Sequence, residues 1–517
     1  MRPFQEFRFW ARRAPLSQRV PTGMATLIVI ALLGWLLVPG SDGSSTDVAT
    51  FGNNPATRAG GAGGGGSVGG GGSVGGAANV DGTNPGSPAG GETASSGTGS
   101  APGGTTTNAA GGCTSPPGTM NGMSDTEIKI GIGLTEIVAG ASNQLFDIQT
   151  PEEQQADYDA AIAGINNEGG VACRTLVPRY WKVNPVNEQG MMQICREVAD
   201  AKVFAMVDSG SLATKPAVLA CFGQNEIPYF GAFYIPAKHR TDYYPYIYSF
   251  YFREQVYKNT AFALRERGFF DPGQGFSKLG FVYRDCNREA VDAYRGWLRE
   301  VGADDLKRVE YNLGCPALFA LPPQIDQAIA TFKAQGVTHV TGADITADIT
   351  DFSNQAQEED YHPVYGLPDE ALQQVATGSR APNPDNLVNA IMITLSADGE
   401  HQTPGMTPSA GTARCNEYRG AAGLKPVYEV PAAAGHTCDQ LWMLQAAANN
   451  APELSPAGLQ AGLQRTGSID FSFPQGPNDF RAPGTTTGGQ FWRVVQFMDA
   501  CDCWQVIQPE FRPGFGI

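Results

Sequence analysis

The stretch Glu127-Ile-Lys-Ile-Gly-Ile-Gly-Leu-Thr135 alternates apolar residues with charged or small ones. Alternation with a period of two predicts a β-strand. The segment that follows has the spacing of one helix face, with apolar residues at Tyr158, Ala161, Ile162 and Ile165. Asn166-Asn-Glu-Gly-Gly170 marks the end of this helix, because glycine and asparagine commonly terminate helices. The two segments together predict the first half of a β-α-β unit.

A second and a third strand complete this first unit. Residues 176–181 and 203–207 have the pattern of strands, and residues 188–201 between them have a helical pattern. Strands that alternate with helices form parallel sheets, because each helix returns the chain to the same end of the sheet.

The same order starts again in the second half of the chain. A strand is predicted at 278–283 and a helix at 288–301, and two later strand ends are predicted at 336–342 and 362–366. The predicted fold class is therefore α/β, with two doubly wound parallel-sheet lobes and a hinge. Two such units in one chain place a cleft between them.

Polar residues follow the predicted strands at the edge where a parallel sheet binds its ligands. Loops and helix N-termini at this carboxyl edge present free backbone N–H groups. Hydroxyls, aromatic rings and carboxylates in this position suit a small polar solute. The predicted ligand-binding residues are Thr135, Glu136, Ser209, Ser211, Phe233, Tyr234, Tyr283, Asp344 and Asp369.

Several of these residues also have a purely structural interpretation. Ser209 and Ser211 could cap a helix that begins just after them, because a serine hydroxyl accepts from the free N–H groups of a first helical turn. Phe233 could belong to the core, and Asp344 could cap a helix at Ile345. The sequence leaves these alternatives open.

The order of the segments resembles the type I periplasmic-binding fold, and within it the branched-chain amino acid type of extracellular solute-binding protein of ABC transporters. The resemblance covers about residues 125–510. The similar segments, in the family's order, are 128–135, 161–171, 195–205, 220–229 and 336–365.

This resemblance implies two lobes that are joined by three crossovers and that close on a solute. The first lobe would take residues 113–247 and 398–482, and the second would take 248–397 and 483–517. The resemblance also implies an ABC permease and its ATPase subunits as partners, since the chain itself has no ATP-binding P-loop.

The resemblance assigns roles to some of the predicted site residues. Hydroxyls and backbone N–H groups of the first lobe would hold the solute's carboxylate, and they map onto Ser209, Ser211 and Tyr234. An acidic or aromatic residue of the second lobe would meet the amine or side chain of the solute, with Tyr283, Asp344 and Asp369 as the matching residues. The chain departs from the family at Phe233-Tyr234, where a small residue and a threonine are usual, so a pocket of different shape or chemistry is expected.

An uncharged segment at residues 20–41 is long enough to cross a bilayer as a helix. Five arginines precede it against the single acid Glu6, and this excess keeps the N-terminus in the cytoplasm. We therefore expect a single-pass, uncleaved signal anchor in the cell membrane, with an extracytoplasmic binding domain. A cleaved signal peptide is the alternative, because it has the same basic start and apolar middle.

The following segment, 42–112, is rich in glycine, serine, threonine and proline and contains a short Gly-Gly-Gly-Gly-Ser-Val repeat. Such a composition cannot bury enough apolar surface to fold. A coil of this length and composition has a root-mean-square span of about 45 Å. We predict a disordered linker that acts as a tether.

Charge and cysteine content limit the partners and the compartment. The net charge of −16 disfavours nucleic acid as a partner. All ten cysteines lie beyond the predicted anchor, which indicates an oxidising compartment. Pairing of neighbours would give the disulfides Cys195–Cys221, Cys286–Cys315 and Cys415–Cys438. Zinc at Cys501-Asp-Cys503 is the rival interpretation of that tight pair, but no histidine or Cys-x-x-Cys lies nearby, so no metal is predicted.

Two classes of function fit the sequence: a solute receptor that supplies an ABC permease, and a tethered sensor or scaffold that acts through a protein partner. An enzyme is not expected. The segment 131–136 begins like a dinucleotide fingerprint but lacks the third glycine, and the five histidines form no recognisable triad. No cofactor is predicted.

Overall fold

The structure is a computed structural model that describes residues 115–137, 149–208, 212, 215–231, 235–315, 322–345, 348–369, 382–430, 434–473, 476, 478–482 and 487–516. The predicted anchor at 20–41 and the predicted linker at 42–112 lie outside these residues. Among the helices that are described, none is both long enough and apolar enough to span a membrane.

The first lobe is built on a five-stranded sheet in the order β2-β1-β3-β4-β5, in which all neighbours are parallel. Its strands are β1 (Glu127–Thr135), β2 (Thr175–Val183), β3 (Ala205–Asp208), β4 (Tyr229–Gly231) and β5 (Ile247–Tyr248). In the register, Ile130 of β1 pairs with Pro178 of β2 on one side and with Ala205 of β3 on the other. The predicted strand at 127–135 is therefore confirmed as a central strand.

The first helix, α1 (Pro151–Asn167), begins with a capping box. The Thr150 hydroxyl accepts from the Glu153 N–H at 3.2 Å, and the Glu153 carboxylate accepts from the Thr150 N–H at 2.8 Å. These bonds satisfy backbone N–H groups that a first turn leaves free. The predicted apolar face is confirmed, because Tyr158, Ala161, Ile162 and Ile165 are all buried. The next helices are α2 (Glu188–Asp200), α3 (Pro216–Gln224) and α4 (Ala237–Asp242).

The second lobe is built on a seven-stranded sheet in the order β14-β13-β10-β9-β8-β6-β7. Its parallel strands are β6 (Leu279–Tyr283), β7 (Arg308–Asn312), β8 (His339–Ala343), β9 (Val364–Pro368) and β10 (Ile391–Thr394). A hairpin of β13 (Phe491–Met498) and β14 (Cys503–Pro513) is added antiparallel to β10. This hairpin was not predicted from the sequence. The strands β11 (Ser468–Ile469) and β12 (Asn478–Asp479) form a separate small sheet.

The remaining helices divide between the lobes. The helices that follow β5 and the strands of the second sheet are α5 (Arg253–Glu266), α6 (Arg288–Glu300), α7 (Pro322–Ala334), α8 (Asp348–Glu358) and α9 (Pro384–Leu387). The chain then returns to the first lobe with α10 (Ala410–Ala421), α11 (Ala434–Asn449) and α12 (Pro456–Thr466). Helices α10 and α11 pack against α1. The chain thus passes between the lobes after β5, after β10 and before β13.

The crossing segments lie side by side and are joined by backbone hydrogen bonds. The Ala397 N–H donates to the Phe473 carbonyl at 2.8 Å, and the Gly489 N–H donates to the Phe250 carbonyl at 2.9 Å. The buried ring of His436 packs against both Phe250 and Phe473, with ring centroids 5.9 and 4.2 Å apart. These contacts place the first turn of α11 against the segments that connect the lobes.

Disulfides join the three cysteine pairs that were expected from their order in the chain. Cys195–Cys221 links α2 to α3, Cys286–Cys315 links the loops after β6 and β7, and Cys415–Cys438 links α10 to α11. Cys501 and Cys503 also form a disulfide, at the turn of the β13–β14 hairpin, and this pair was not predicted. Among the described residues, no cluster of histidine, cysteine and acidic side chains could hold a metal ion.

Candidate functional site

The two sheets share one topology, and this locates the candidate site. The order β2-β1-β3-β4-β5 of the first sheet is repeated as β7-β6-β8-β9-β10 in the second. In each sheet the chain first adds a strand on one side of the first strand and then continues on its other side. The strand order therefore reverses between β1 and β3 in the first sheet and between β6 and β8 in the second. Open α/β sheets bind ligands at the carboxyl ends of the strands at such a switch point. The residues that follow β1, β3, β6 and β8 therefore form the candidate site.

Asp208, the last residue of β3, is the buried centre of the first-lobe edge. Its carboxylate accepts from the Tyr229 hydroxyl at 2.8 Å and from the Leu212 N–H at 2.9 Å. Its carbonyl accepts from the Gln440 amide, whose oxygen in turn accepts from the Tyr158 hydroxyl at 2.8 Å. This network spans α1, α11 and two strands. It fixes the carboxyl end of β3.

A glycine in the neighbouring strand makes room for this carboxylate. A Cβ atom on Gly133 of β1 would lie 2.6 Å from Oδ1 of Asp208, which is closer than nonbonded carbon and oxygen atoms approach. Gly133 therefore allows β1 and the buried acid to lie side by side. The glycines of this segment, which look like a dinucleotide fingerprint in the sequence, thus include one with a packing role.

Thr135 and Glu136, both predicted site residues, lie at the end of β1. The backbone of Thr135 is held by the Gln154 side chain, which accepts from its N–H at 2.7 Å and donates to its carbonyl at 2.9 Å. Glu136 pairs with Lys182 at 3.0 Å, and Lys182 also contacts Glu152 at 3.3 Å. Hydrogen bonds to Glu136 and then Glu152 raise the pKa of Lys182 above its usual range. The edge beside β1 thus carries paired charges that are accessible to solvent.

Asp344, a predicted site residue, follows β8 and lies in the left-handed region with φ = 59°. Its carboxylate accepts from Arg253 Nη1 and from the Asn287 amide, both at 2.8 Å, and its N–H donates to the Tyr257 hydroxyl at 2.8 Å. Strained backbone of this kind is often found at functional sites. The alternative that Asp344 caps a helix at Ile345 is wrong, because α8 begins at Asp348.

A second ion pair lies beside the first. Arg284, directly after β6, binds both oxygens of Asp348 at 2.5 and 2.7 Å, and the Asp348 side chain is only 2% exposed. Asp348 is in the first turn of α8, where the helix dipole favours a negative charge. The second-lobe edge therefore presents two guanidinium groups, each fixed by a carboxylate.

Tyr283, the last residue of β6, is half-buried at the same edge. Its ring lies 5.1 Å from that of Phe281, and the Arg295 guanidinium covers it at 4.3 Å. Burial raises the pKa of Tyr283, so its hydroxyl stays protonated as a hydrogen-bond donor. The structure thus brings Tyr283, Arg284 and Asp344 to one edge of the second lobe.

Asp369 also follows a strand of this sheet, but its carboxylate is turned to internal partners. It is buried and accepts from the Thr394 hydroxyl at 2.7 Å, the Leu395 N–H at 3.1 Å and the Ser396 hydroxyl at 3.3 Å. Burial raises the pKa of Asp369 to about 6, although these hydrogen bonds oppose the shift. In this structure Asp369 holds the end of β10, at the start of a crossing segment.

Four predicted site residues, Ser209, Ser211, Phe233 and Tyr234, lie outside the described residues, so their assignment stays a prediction. Three further residues of this edge were not predicted from the sequence: Arg253, Asn287 and Asp348. Arg253 begins a helix and carries no strand signal, and its partner Asp344 is 91 positions away. Arg284 and Asp348 are 64 positions apart. Only the position of Arg284 directly after a predicted strand could have indicated a role.

Comparison with known proteins gives the family. The family model for periplasmic binding proteins matches residues 153–501, which is more than half of the chain. Among curated proteins, none matches at the sequence level.

Solved structures with the same fold come from several organisms. An ABC transporter substrate-binding protein from Desulfitobacterium hafniense, solved in complex with Leu, is 16% identical and has a TM-score of 0.51 over 74% of this chain and 100% of its own. The branched-chain amino acid transporter substrate-binding protein LivJ from Streptococcus pneumoniae, in complex with isoleucine, is 15% identical with a TM-score of 0.52, over 74% and 100% of the two chains.

A third neighbour binds a different kind of molecule. The ABC transporter solute-binding protein from R. palustris, in complex with 4-hydroxybenzoate, is 13% identical with a TM-score of 0.55, over 75% of this chain and 97% of its own. At these identities the likeness shows the fold, which agrees with the family match. The chain therefore belongs to the periplasmic binding protein family.

Proposed function

We propose that this protein is a membrane-tethered, extracytoplasmic solute-binding protein that captures a small polar solute between its lobes and delivers it to an ABC permease. The observation that carries the proposal is the pair of switch-point edges, one from each lobe, each lined with polar groups that are already held in place. Binding groups fixed in this way lose little conformational entropy when the solute binds.

The charges of the second-lobe edge suit a solute with a carboxylate and a hydrogen-bonding group. Arg253 and Arg284 pair with Asp344 and Asp348 at this edge, and their two guanidinium charges would attract the carboxylate of a solute. Asp344 would then accept from an amine or hydroxyl of the same solute. Leu, isoleucine and 4-hydroxybenzoate, found in the structural neighbours, all carry a carboxylate, and this supports the same chemical class.

The sequence supports tethering and localisation. The uncharged segment 20–41, the arginines before it and the low-complexity segment after it fit an anchored protein on a flexible tether. The disulfides fit an oxidising compartment outside the cytoplasm. The permease and its ATPase subunits would be separate chains.

A thermal-shift screen of the detergent-solubilised full chain tests the proposal. The library should contain amino acids, aromatic and aliphatic carboxylates, polyamines and sugars. A ligand at 100 times its dissociation constant adds about 2.7 kcal/mol to the free energy of unfolding, which is a visible shift. Hits confined to carboxylates would support the proposed class. A folded protein that responds to none of these compounds would contradict solute capture and favour a sensor that docks to a protein.

Calorimetry with the best ligand would then test the location of the site. Asp344→Asn should weaken binding at least tenfold. Asp305→Asn is the matched control, because Asp305 also pairs with arginine but is 69% exposed and lies before β7. Equal affinities of the two variants would exclude the second-lobe edge as the binding site.

A further inference from the structure

The turn of the β13–β14 hairpin carries a disulfide with one exposed cysteine. Cys501 and Cys503 are separated by the single residue Asp502, and the Cys501 side chain is exposed whereas Cys503 is 9% exposed. Cys195, Cys415 and Cys438, by contrast, are buried. A nucleophile in solution can therefore reach the sulfur of Cys501, while the buried disulfides are shielded.

Backbone pairing continues up to this disulfide. Met498 pairs with Cys503 across the strands and Phe497 pairs with Trp504. Within the turn, the Cys501 N–H donates to the Met498 carbonyl at 3.3 Å. A disulfide that closes so short a loop restricts the unfolded chain least, and its small ring contains two planar peptide bonds. Breaking it should leave the strands paired, so little folding free energy opposes its reduction.

Polar groups around the turn set the chemistry of the sulfurs. The Gln505 amide nitrogen lies 3.4 Å from Sγ of Cys501 and 3.7 Å from Sγ of Cys503. Its N–H groups can donate to a sulfur that becomes a thiolate, which favours the charged form. Asp499 and Asp502 are exposed in the same turn, and no lysine or arginine occurs between Arg493 and Arg512. The carboxylates of Asp499 and Asp502 repel anionic thiols.

We propose that Cys501–Cys503 is a site of thiol–disulfide exchange for neutral or cationic thiols. A thiolate attacks Sγ of Cys501 and forms a mixed disulfide. The bond between the two cysteine sulfurs breaks, and its electron pair leaves on Cys503, which takes a proton from water. A second thiolate attacks the sulfur of the first thiol and releases Cys501. Two thiols are thereby oxidised to one disulfide, and Cys501 and Cys503 gain two electrons.

This site is separate from the candidate solute site. β10 begins at Ile391, which pairs with Gln496, and the Phe497 N–H donates to the Ala390 carbonyl at 2.9 Å. The hairpin turn thus lies beyond the amino ends of the parallel strands, at the edge opposite to the switch point. Reduction of Cys501–Cys503 should therefore leave solute affinity unchanged. The test of thiol exchange and the test of solute binding thus have independent outcomes.

The first experiment uses the oxidised full chain without any mutation. It is equilibrated in buffers with increasing ratios of cysteamine to cystamine, quenched with acid, alkylated and mapped by peptide mass spectrometry. We expect Cys501 and Cys503 to be half reduced at a ratio at least tenfold lower than any other disulfide. Cys286–Cys315 is the strict comparison, because both of its cysteines are also exposed but its loop spans 29 positions. Reduction of that pair first, or of all pairs together, would overturn the proposal.

Three variants test the assigned roles. The Cys503→Ser variant keeps only the thiol of Cys501, and the Cys501→Ser variant keeps only the thiol of Cys503. The Cys503→Ser variant should form mixed disulfides with cystamine at least tenfold faster than the Cys501→Ser variant. Gln505→Leu should slow the reduction of the Cys501–Cys503 disulfide several-fold.

The charge of the attacking thiol should also matter. Cysteamine should react several-fold faster than the anionic mercaptoethanesulfonate, and the difference should become smaller at high salt. Equal rates for the two single cysteines, or no preference among thiols, would contradict the mechanism.

Discussion

Nη1 of Arg253, in the first turn of α5, lies 2.8 Å from Oδ1 of Asp344 at the end of β8. The two side chains are 14% and 17% exposed, so the pair is partly shielded from water. The ion pair joins a helix that follows the first crossing segment to the switch point of the second sheet. It couples the position of the candidate site to the segment that links the lobes.

The first prediction concerns the stability that this ion pair provides. Asp344→Asn and Arg253→Met should each lower the free energy of unfolding by about 2 kcal/mol, because each leaves a partly buried charge without its partner. Asparagine tolerates the left-handed backbone of Asp344, so the first substitution tests the charge rather than the fold. The double variant should lose about 1 kcal/mol less than the sum of the single losses.

Urea denaturation of the four proteins measures this coupling. The exposed pair Arg299–Asp305, at 3.3 Å, is the control, and Arg299→Met should cost less than about 0.5 kcal/mol. Strictly additive losses at Arg253 and Asp344 would show that the two side chains do not interact in solution.

The second prediction concerns the serines that follow β3. Ser209→Ala with Ser211→Ala should weaken solute binding at least tenfold and leave the melting temperature within about 2 °C, since Asp208 keeps its hydrogen bonds to Tyr229 and Leu212 at the strand end. Calorimetry and thermal unfolding check both parts. Ser468→Ala, at an exposed position of β11, is the matched control. Unchanged affinity would place the solute elsewhere.

Structural features that depend on neighbouring residues were predicted from the sequence, whereas features that depend on tertiary contacts were not. The face of Tyr158, Ala161, Ile162 and Ile165 was predicted correctly, because helix periodicity depends only on neighbouring residues. The β13–β14 hairpin was missed because its apolar pattern is interrupted by Arg493, which is buried and paired with Glu400 at 2.6 Å. A buried charge of this kind looks like an exposed position in the sequence.

The residues of the candidate site were predicted only where their position along the chain was sufficient. Tyr283 and Asp344 were predicted from their places after strands, since the carboxyl edge is a general property of parallel sheets. Arg253 was not, because its role depends on tertiary contacts. Asp369 satisfied the same positional rule, yet its buried carboxylate holds the end of β10 through Thr394 and Leu395.

The third prediction concerns pH and His436. Burial lowers the pKa of His436 to about 3, well below the usual value near 6.5 of the unfolded chain. The folded protein therefore keeps this ring neutral, while the unfolded chain takes up a proton below about pH 6.5. The stabilisation from the neutral ring is fully present above this pH and is lost as the pH falls toward 3, by about 1.4 kcal/mol per unit.

Urea denaturation of the wild type and His436→Phe between pH 4 and pH 8 isolates this effect. Between pH 4 and pH 6 the free energy of unfolding of the wild type should fall more steeply with decreasing pH than that of the variant. Above pH 7 the two slopes should coincide, which provides an internal control. Parallel curves over the whole range would mean that His436 is not neutral and buried.

The fourth prediction concerns the Cys286–Cys315 disulfide. It joins the loops after β6 and β7, next to Tyr283, and closes a loop of 29 positions. Replacing both cysteines with serine should cost about 3.6 kcal/mol of stability in the chain-entropy model. Because both loops leave the carboxyl edge, solute affinity should also fall, and calorimetry measures this. A fall in stability with unchanged affinity would show that the second-lobe loop does not contact the solute.

The last prediction concerns the predicted linker. Deletion of residues 60–110 should leave solute affinity unchanged, because the described lobes begin only at residue 115 and carry both edges of the candidate site. Uptake in cells should fall, since a shorter tether restricts the reach of the lobes toward a permease. A linker of the same length with a scrambled Gly/Ser sequence is the control and should restore uptake. If the scrambled linker failed to restore it, sequence-specific contacts of the linker would be required; if the deletion lowered affinity itself, the linker would be part of the binding unit rather than a tether.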